Sequence, residues 1–380
     1  MTTQEEQHPA NAGPSEPRQS NGQVSQTLLE LNTARPTLAE IARRAGVNKS
    51  TVSRALRDDP SIPQATRQRI RDLAAQLNYV PNASARHLNH ARTDTLAFVS
   101  RALNLDAGAG NADPFLVELL AGIADEAANH HFDVLLVRAE EGERELAVYQ
   151  RILGGRHADG VILTDLRPDD HRLAYLCRHR YPHVLFGRSA EDLAAARLYP
   201  YPWAEVDNRS GARIGTEHLI SLGHRRIAFI GGGDTYHWER DRRAGYREAL
   251  ARANLPYDPR LCIPSGISQK DGYLLTQQLL SWEEPPTAIF AISDVLAVGV
   301  MRAALDAGVQ VGPAFSVIGF DGLGLGSYLT PPLTTLRQPI NEVGRILVRL
   351  LCAVLRGTPP EEPHVFLQPE LIIRASTRGY

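Results

Sequence analysis

Cysteine is scarce. Cys177, Cys262 and Cys352 are the only three in 380 residues, and they follow no paired spacing. This excludes a disulfide framework and a cysteine-based zinc module, so all three are expected as buried, inert thiols. No apolar run approaches the roughly 18–20 residues of a membrane span, and the polar first residues carry no secretory signal, so the expected location is the cytoplasm. No P-loop, G-x-S-x-G elbow or zinc-protease signature occurs. His130-His131 and His179…His183 are loosely metal-like in spacing, but neither brings a second ligand cluster. No catalytic residue, metal or cofactor is therefore assigned. Net charge is nearly lacking too, at −2, while 43% hydrophobic and 22% charged residues are ordinary for a soluble globular chain.

A chain of 380 residues exceeds what one hydrophobic core usually organises, so two or three folding units are expected, one of them small. The near-zero charge conceals a division. Residues 35–92 hold eleven cations (Arg35, Arg43, Arg44, Lys49, Arg54, Arg57, Arg67, Arg69, Arg71, Arg86, Arg92) against Glu40, Asp58, Asp59 and Asp72, a net of +7 that leaves −9 on the remainder. Such asymmetry is the electrostatic footprint of a polyanion-binding module joined to an acidic domain. Residues 1–34 are rich in Gln, Glu, Ser, Asn and Pro and lack aromatics, which predicts a disordered tail.

Thr37-Leu-Ala-Glu40 reads as a capping box, in which hydroxyl and carboxylate each satisfy a free amide of one helix start. That helix should bury Leu38, Ile41, Ala42 and Ala45 and stop at Gly46, whose tolerance of positive φ suits a tight turn. Asn48 can cap a second helix through Leu56, with Val52 and Leu56 inward. Two short helices joined by a glycine turn make a helix-turn-helix candidate. Pro63 can sit in the first turn of a third helix that runs to about Leu77, with Ile70, Leu73, Ala74 and Leu77 inward and Arg67, Arg69 and Arg71 mainly outward. Tyr79-Val-Pro-Asn82 breaks it, and Asn82 can cap a short segment from Ala83 to about Asn89.

From Thr95 the pattern becomes short apolar runs alternating with amphipathic helices. Strands are expected at Leu96–Ser100, Phe132–Arg138, Gly160–Thr164, His183–Phe186, Ile227–Gly231, Ala288–Ile292 and Phe315–Phe320. Helices fit between them, for example Phe115–His130, Ser210–Leu222, Arg242–Arg252, Gly272–Ser281 and Val295–Ala307. Apolar strands bounded by glycine and alternating with helices indicate parallel sheets covered on both faces, with ligands at the carboxyl ends of the strands. Seven or eight such units suit two doubly wound lobes better than one sheet.

The segment Thr37–Arg92 resembles the lactose-repressor (LacI/GalR) family of bacterial transcription regulators. "TLAEIARRAGVNKSTVSRAL" and "TRQRIRDLAAQLNYVPNASARHL" keep the family's spacing without a gap, and the resemblance continues in "VDNRSGARIGTEHLISLGHRRIAFIGG", "PTAIFAISDVLAVGVMRAALDAGVQVG", "SVIGFDG" and "PPLTTLRQP", to about residue 376. It implies a small all-α helix-turn-helix head and a two-lobed, periplasmic-binding-protein-like α/β sensor domain with doubly wound parallel sheets. It also implies a homodimer on palindromic operator DNA, controlled by a small effector, most simply as a repressor relieved by a sugar. The implied division is a tail over 1–34, a head over 35–80, a hinge over 81–93, one lobe over 94–206 and 340–367, and the other over 207–339 and 368–380.

In the second helix, Lys49, Ser50 and Arg54 match the positions the family uses to reach base edges, where a lysine or arginine can donate to guanine O6 and N7. Thr51 and Ser53 suit phosphate oxygens. Thr37, Leu38, Asn48, Arg57, Thr66 and Tyr79 complete the expected contacts of the head, and Asn82, Ala85 and Leu88 those of the hinge, with Leu88 as the minor-groove wedge. "HLNHART" departs from the small or basic residues common there among relatives. For the effector, the resemblance assigns Arg242 as the bridge to ligand hydroxyls and Asp321 as an acceptor on the opposite wall, a pair suited to a polyhydroxylated ligand. Ser293 stands where some sugar-responsive relatives carry asparagine. Asp294 is expected chiefly to cap the helix from Val295. Phe115, Arg188 and Trp238 are further lining candidates, the last by stacking on a sugar ring.

Two other classes are weighed. Gly231-Gly-Gly233-Asp after a strand has the start of a dinucleotide fingerprint, but the motif wants a small residue at 236, where Tyr236 stands. A periplasmic sugar-binding protein would share the sensor fold, yet that class is exported and has no DNA-binding head. A regulator that binds a corepressor, a nucleobase or a sugar phosphate remains the alternative within the family.

Overall fold

The computed structural model describes residues 36–79, 92–101, 114–139, 142–167, 170–188, 201–233, 235–358 and 360–378. The tail, most of the hinge, and Asn82, Ala85 and Leu88 lie outside these residues. The chain divides at His90–Ala91 into a head and a larger sensor unit.

The head holds three helices, α1 (Leu38–Ala45), α2 (Lys49–Leu56) and α3 (Gln64–Gln76). Thr37 caps α1, its hydroxyl accepting from the Glu40 amide at 3.3 Å. The reciprocal half of the box does not form, because the Glu40 carboxylate is taken by Arg43 and Arg44 one turn on. Gly46 ends α1 at φ 65°, ψ 33°, a left-handed geometry that glycine adopts without steric cost. Asn48 precedes α2 but makes no side-chain capping bond, and Pro63 stands just before α3 rather than inside its first turn. Ile41, Ala42, Ala45, Val52, Ala55, Ile62, Ile70 and Ala74 form the core, with Leu38, Leu56, Leu73, Leu77 and Tyr79 half-buried around it.

The sensor unit is two α/β lobes, each on a six-stranded sheet. The first has the order β11-β5-β4-β3-β1-β2, from β1 (Thr95–Ser100), β2 (Asp133–Arg138), β3 (Gly160–Leu163), β4 (His183–Phe186), β5 (Trp203–Val206) and β11 (His364–Leu367). All its pairings are parallel, in register such as Leu96 with Val134 and Val161 with His183. The second has the order β12-β10-β9-β8-β6-β7, from β6 (Ile227–Ile230), β7 (Cys262–Ile263), β8 (Ala288–Ala291), β9 (Ser316–Asp321), β10 (Thr334–Arg337) and β12 (Glu370–Ile372). Only β12 runs antiparallel to its neighbour. The seven expected strands are present. The other five escape a hydropathy reading because β7 has two residues, β10 opens on two threonines, β5 is interrupted by Glu205, and β11 and β12 are sheet edges with exposed positions.

Helices cover both faces: α4 (Pro114–Asn129), α5 (Glu143–Tyr149), α6 (His171–His179) and α11 (Ile340–Arg356) on the first lobe; α7 (Asn208–Ser221), α8 (His237–Arg252), α9 (Gln269–Leu280) and α10 (Asp294–Asp306) on the second. α4 and α11 cross so closely that a Cβ on Gly122 would lie 2.0 Å from the Asn341 carbonyl oxygen. The main core lies under β6, β8 and β9, where Phe229, Phe290 and Phe320 are fully buried, each worth roughly 1.5–3 kcal/mol of transfer free energy. The chain passes between the lobes at three points, Val206 to Asn208, Arg337 to Ile340 and Leu367 to Glu370. Among the described residues no helix is long and apolar enough to cross a membrane.

Candidate DNA-contacting helix and effector cleft

The head sorts its cations by what they touch. Arg43 and Arg44 pair with Glu40. Arg67 and Arg71 converge on Asp58 and fasten the α2–α3 turn to α3, while Arg69 donates to the Ala45 carbonyl at the end of α1. The three α3 arginines, read from the sequence as outward charge, are thus staples. Arg57 is held by the Ser53 carbonyl one turn back. Lys49 and Arg54 form no ion pair with a described residue and stand exposed on α2 with Asn48 and Ser50, flanked by half-buried Thr51 and Ser53. Val52 and Ala55 pin the opposite face of α2 into the core. A short helix therefore presents one polar, cationic face to solvent at a spacing that fits a groove. Thr37 is engaged as the cap, Leu38 and Tyr79 pack on the head core, and Thr66 is half-buried in the first turn of α3.

In the sensor unit the carboxyl ends of both sheets converge. β6 leads through Gly231 and Gly232, at φ 103° and 68°, into α8; a Cβ on Gly231 would lie 2.2 Å from Ile292 Cγ2. These glycines make room for packing. The Glu239 carboxylate closes the turn by accepting from the Thr235 and Tyr236 amides at 3.1 Å each. Because α8 starts at His237, earlier than Arg242, Trp238 and Arg242 lie one turn apart on the same helix.

Arg242 is 5% exposed. Its guanidinium lies between the rings of Phe320, 3.6 Å from the centroid, and Trp238, 4.8 Å. Nε donates to Asn208 Oδ1 at 2.8 Å, Nη1 donates to the Ile292 carbonyl, and Asp321 Oδ1 stands 3.9 Å from Nη1. Burial lowers the group to about 10, opposed first by Asp321, so it stays charged at neutral pH. Trp238, expected as a platform for a sugar ring, is half-buried, covers Arg242 on one side and runs parallel to Tyr236 at 6.1 Å. Asp321 ends β9 at φ 129°, a strained value for a residue with a Cβ, and is held by Gln338 Nε2 at 2.8 Å.

The capping role expected of Asp294 falls to Ser293. The cap of α10 is Ser293, whose hydroxyl accepts from the Leu296 amide at 3.1 Å; its proton is left to donate. Asp294 is 0% exposed, with Oδ1 accepting from the Thr335 hydroxyl and Oδ2 from the Leu323 amide at 2.7 Å. Burial pushes its carboxyl up to about 7. Asp294 does not cap the helix; its two oxygens tie α10 to the β9 and β10 ends.

On the facing wall Phe115 stacks on Phe186 at 6.0 Å. Arg188 bridges the lobes, donating to Glu205 at 2.9 Å and Asp241 at 2.5 Å. A second bridge sets the Arg167 guanidinium over the Tyr236 ring at 5.7 Å. Glu205 is 2% exposed, and burial pushes it up to about 8 against the pull of Arg188. Glu205, Asn208, Asp241 and Gln338 were not singled out from sequence; the one available signal was a lone acid inside the apolar run of β5. Among the described residues the three cysteines are free thiols. Cys352 is buried, whereas Cys177 and Cys262 are only half-buried. His179 packs against Tyr175 and Tyr181, and His183 bonds the Tyr181 carbonyl at 2.7 Å.

Comparison with known proteins agrees with this architecture. Residues 37–82 match the family described as bacterial regulatory proteins, lacI family, and residues 216–377 match the periplasmic binding protein-like domain. The HTH-type transcriptional regulator CelR of Thermobifida fusca is 32% identical over 90% of this chain and 98% of its own. A solved CelR–cellobiose complex superposes with a TM-score of 0.68 at 31% identity, over 90% of this chain and 100% of that one. The lac repressor dimer bound to operator and the anti-inducer ONPF gives 0.78 at 26% identity, over 91% and 100%. These relatives are transcriptional regulators. On head, two-lobed sensor and near full-length similarity together, the chain belongs to the LacI family of bacterial transcriptional regulators.

Proposed function

We propose that this chain represses transcription as a two-fold symmetric dimer on a palindromic operator, and that an uncharged sugar held between the lobes changes its grip on that DNA. Lys49, Ser50 and Arg54 read base edges, and Asn48, Thr51, Ser53 and Arg57 meet phosphates. Thr37, Leu38, Thr66 and Tyr79 support the head against the backbone. The protein works in the cytoplasm and catalyses nothing. Relatives solved with an operator and with cellobiose support the two partner classes.

The observation that carries the sensing half is the pair Arg242–Asp321. At 3.9 Å the two are too far apart for a direct hydrogen bond. A hydroxyl, which donates and accepts at once, serves both. Arg188 already faces Glu205 and Asp241, so it offers an anionic ligand no uncompensated charge. Both members of the pair are also anchored at the points where the chain changes lobes: Arg242 through Asn208, Asp321 through Gln338. A ligand that draws the pair together acts on two crossovers, and it shifts the DNA-binding equilibrium by its differential affinity for the two lobe arrangements.

A thermal-shift screen of the full chain tests this against neutral mono- and disaccharides, sugar phosphates and nucleosides. A neutral sugar should raise the midpoint of the sensor unit, weaken operator binding and remain unconsumed. Stabilisation by phosphates or nucleosides alone would replace the sugar reading, and tighter operator binding would make the ligand a corepressor.

A further inference from the structure

The first-lobe sheet has two ends. Its carboxyl end faces the cleft, and its amino end receives the chain at Arg92. The turns before β3 and β4 meet at this second end, where a Cβ on Gly154 would lie 3.2 Å from Tyr181 Oη and the Val161 amide bonds the Pro182 carbonyl. Neither Gln150–Ala158 nor His171–His183 contains a carboxylate. They expose Arg151, Arg156, Arg178 and Arg180, with His157 and His179 between them. None of these four arginines forms an ion pair with a described residue, unlike Arg101, Arg172, Arg188 and Arg242 at the cleft end, which all face carboxylates.

The helix ends here account for part of this charge, since cations favour a helix C-terminus. They do not account for Arg156 and Arg180 at φ 54° each, left-handed positions where glycine or asparagine is favoured. The nearest acid, Asp159, is committed to the entering chain, accepting from the Thr93 amide, the Thr93 hydroxyl and the Asp94 amide at 2.7–2.9 Å. Other acids of this end are Asp94 and Asp133, beside β1 and β2, and exposed Glu361 and Glu362, just before β11.

We propose that this edge is a second DNA contact, in which Arg156, Arg178 and Arg180, with Arg151 beside them, meet backbone phosphates flanking the half-site held by the head. It adds affinity without reading sequence, because guanidinium forks recognise phosphate and not base identity. The proposal rests on the head binding DNA, and Thr93, where the sensor chain begins, is bonded to Asp159 at this end of the sheet.

The test uses the full chain carrying Arg156→Gln, Arg178→Gln and Arg180→Gln together, on operator fragments with short and extended flanks and on random DNA, across a salt series. The variant should lose about tenfold or more in affinity on operator and random DNA alike. Its slope of log affinity against log salt should fall by about 2–3, from roughly 0.9 per phosphate contact. Any gain from extended flanks should vanish, while the operator-to-random ratio and the sensor melting midpoint hold. The corresponding triple Arg→Lys variant keeps the charge and should keep most of the affinity. An unchanged slope in a variant that melts normally overturns the proposal, as does a loss on heparin or anionic vesicles with none on DNA. Failure of the head reading looks different: the wild type itself would show no operator preference, and random DNA would then decide the matter for the edge alone.

Discussion

Arginine serves the head and the cleft in opposite states. Arg54 is exposed on α2 and forms no ion pair with a described residue, whereas Arg242 is 5% exposed and held by two rings, an amide oxygen, a carbonyl and a facing carboxylate. The difference follows from the ligands. A polyanion brings its own countercharge, so a cation meant for it does best waiting in water, where it costs no desolvation and steers the encounter. A neutral sugar brings no countercharge, so a cation meant for it must already be compensated before it can be buried.

The largest expected effect lies in the cleft. Truncating one member of a buried, hydrogen-bonded charged set costs about 2–5 kcal/mol, much of it from partners left unpaired. Arg242→Met should therefore weaken effector binding by about a hundredfold or more, measured by calorimetry with whichever sugar stabilises the wild type. Operator affinity without effector should stay within about threefold. A variant that still responds would break the comparison, since the compensated arginine would then be scaffold and nothing more.

Arg54→Ala should cost about 1–3 kcal/mol of base discrimination per half-site, read as a fall in the operator-to-random ratio by fluorescence anisotropy. Effector affinity should be unchanged. Equal losses on operator and random DNA would demote Arg54 from reading bases to holding phosphate, and would draw it closer to the arginines of the sensor edge.

The head was the more legible of the two because its determinants are local. The Thr37 cap, the Gly46 turn and the Ile41–Val52–Ile70 core all lie between Thr37 and Ile70, on three consecutive short helices. The strands legible in the sensor were those whose apolar runs are uninterrupted. What the sequence hid depends on distant neighbours. Glu205 and Asp241 acquire meaning only when Arg188 stands between them, and Gln338 only when Asp321 lies across from it. Ser293 and Asp294 could each have capped α10; burial decides, because the fully enclosed site needs a carboxylate with two acceptors for Thr335 and Leu323. Trp238 has the right residue type to stack on a sugar, but whether its face is available depends on an arginine one turn away.

The smallest expected effect sharpens the same comparison through pH. In the head, Glu40 is held below its ordinary range by Arg43 and then Arg44, and Asp59 by Ser61. Such groups stabilise the fold when ionised, and their contribution is lost as pH falls through the carboxylate range. In the sensor, burial raises Glu205 to about 8 and Asp294 to about 7. Between about pH 4.5 and these values the folded chain keeps protons that the unfolded chain gives up. Stability from this source is therefore full at the acid end and is lost as pH rises. Burial lowers His183, His218, His224 and His237, whose contribution rises with pH and is complete above about 6.5; beyond that point the sensor midpoint should fall towards pH 8 while the head is little changed. Glu205→Gln, which keeps an acceptor for Arg188 but cannot ionise, should flatten the last part of that fall. Equal slopes in the two proteins would mean that Glu205 is already ionised beside Arg188 across this range and contributes nothing to the fall.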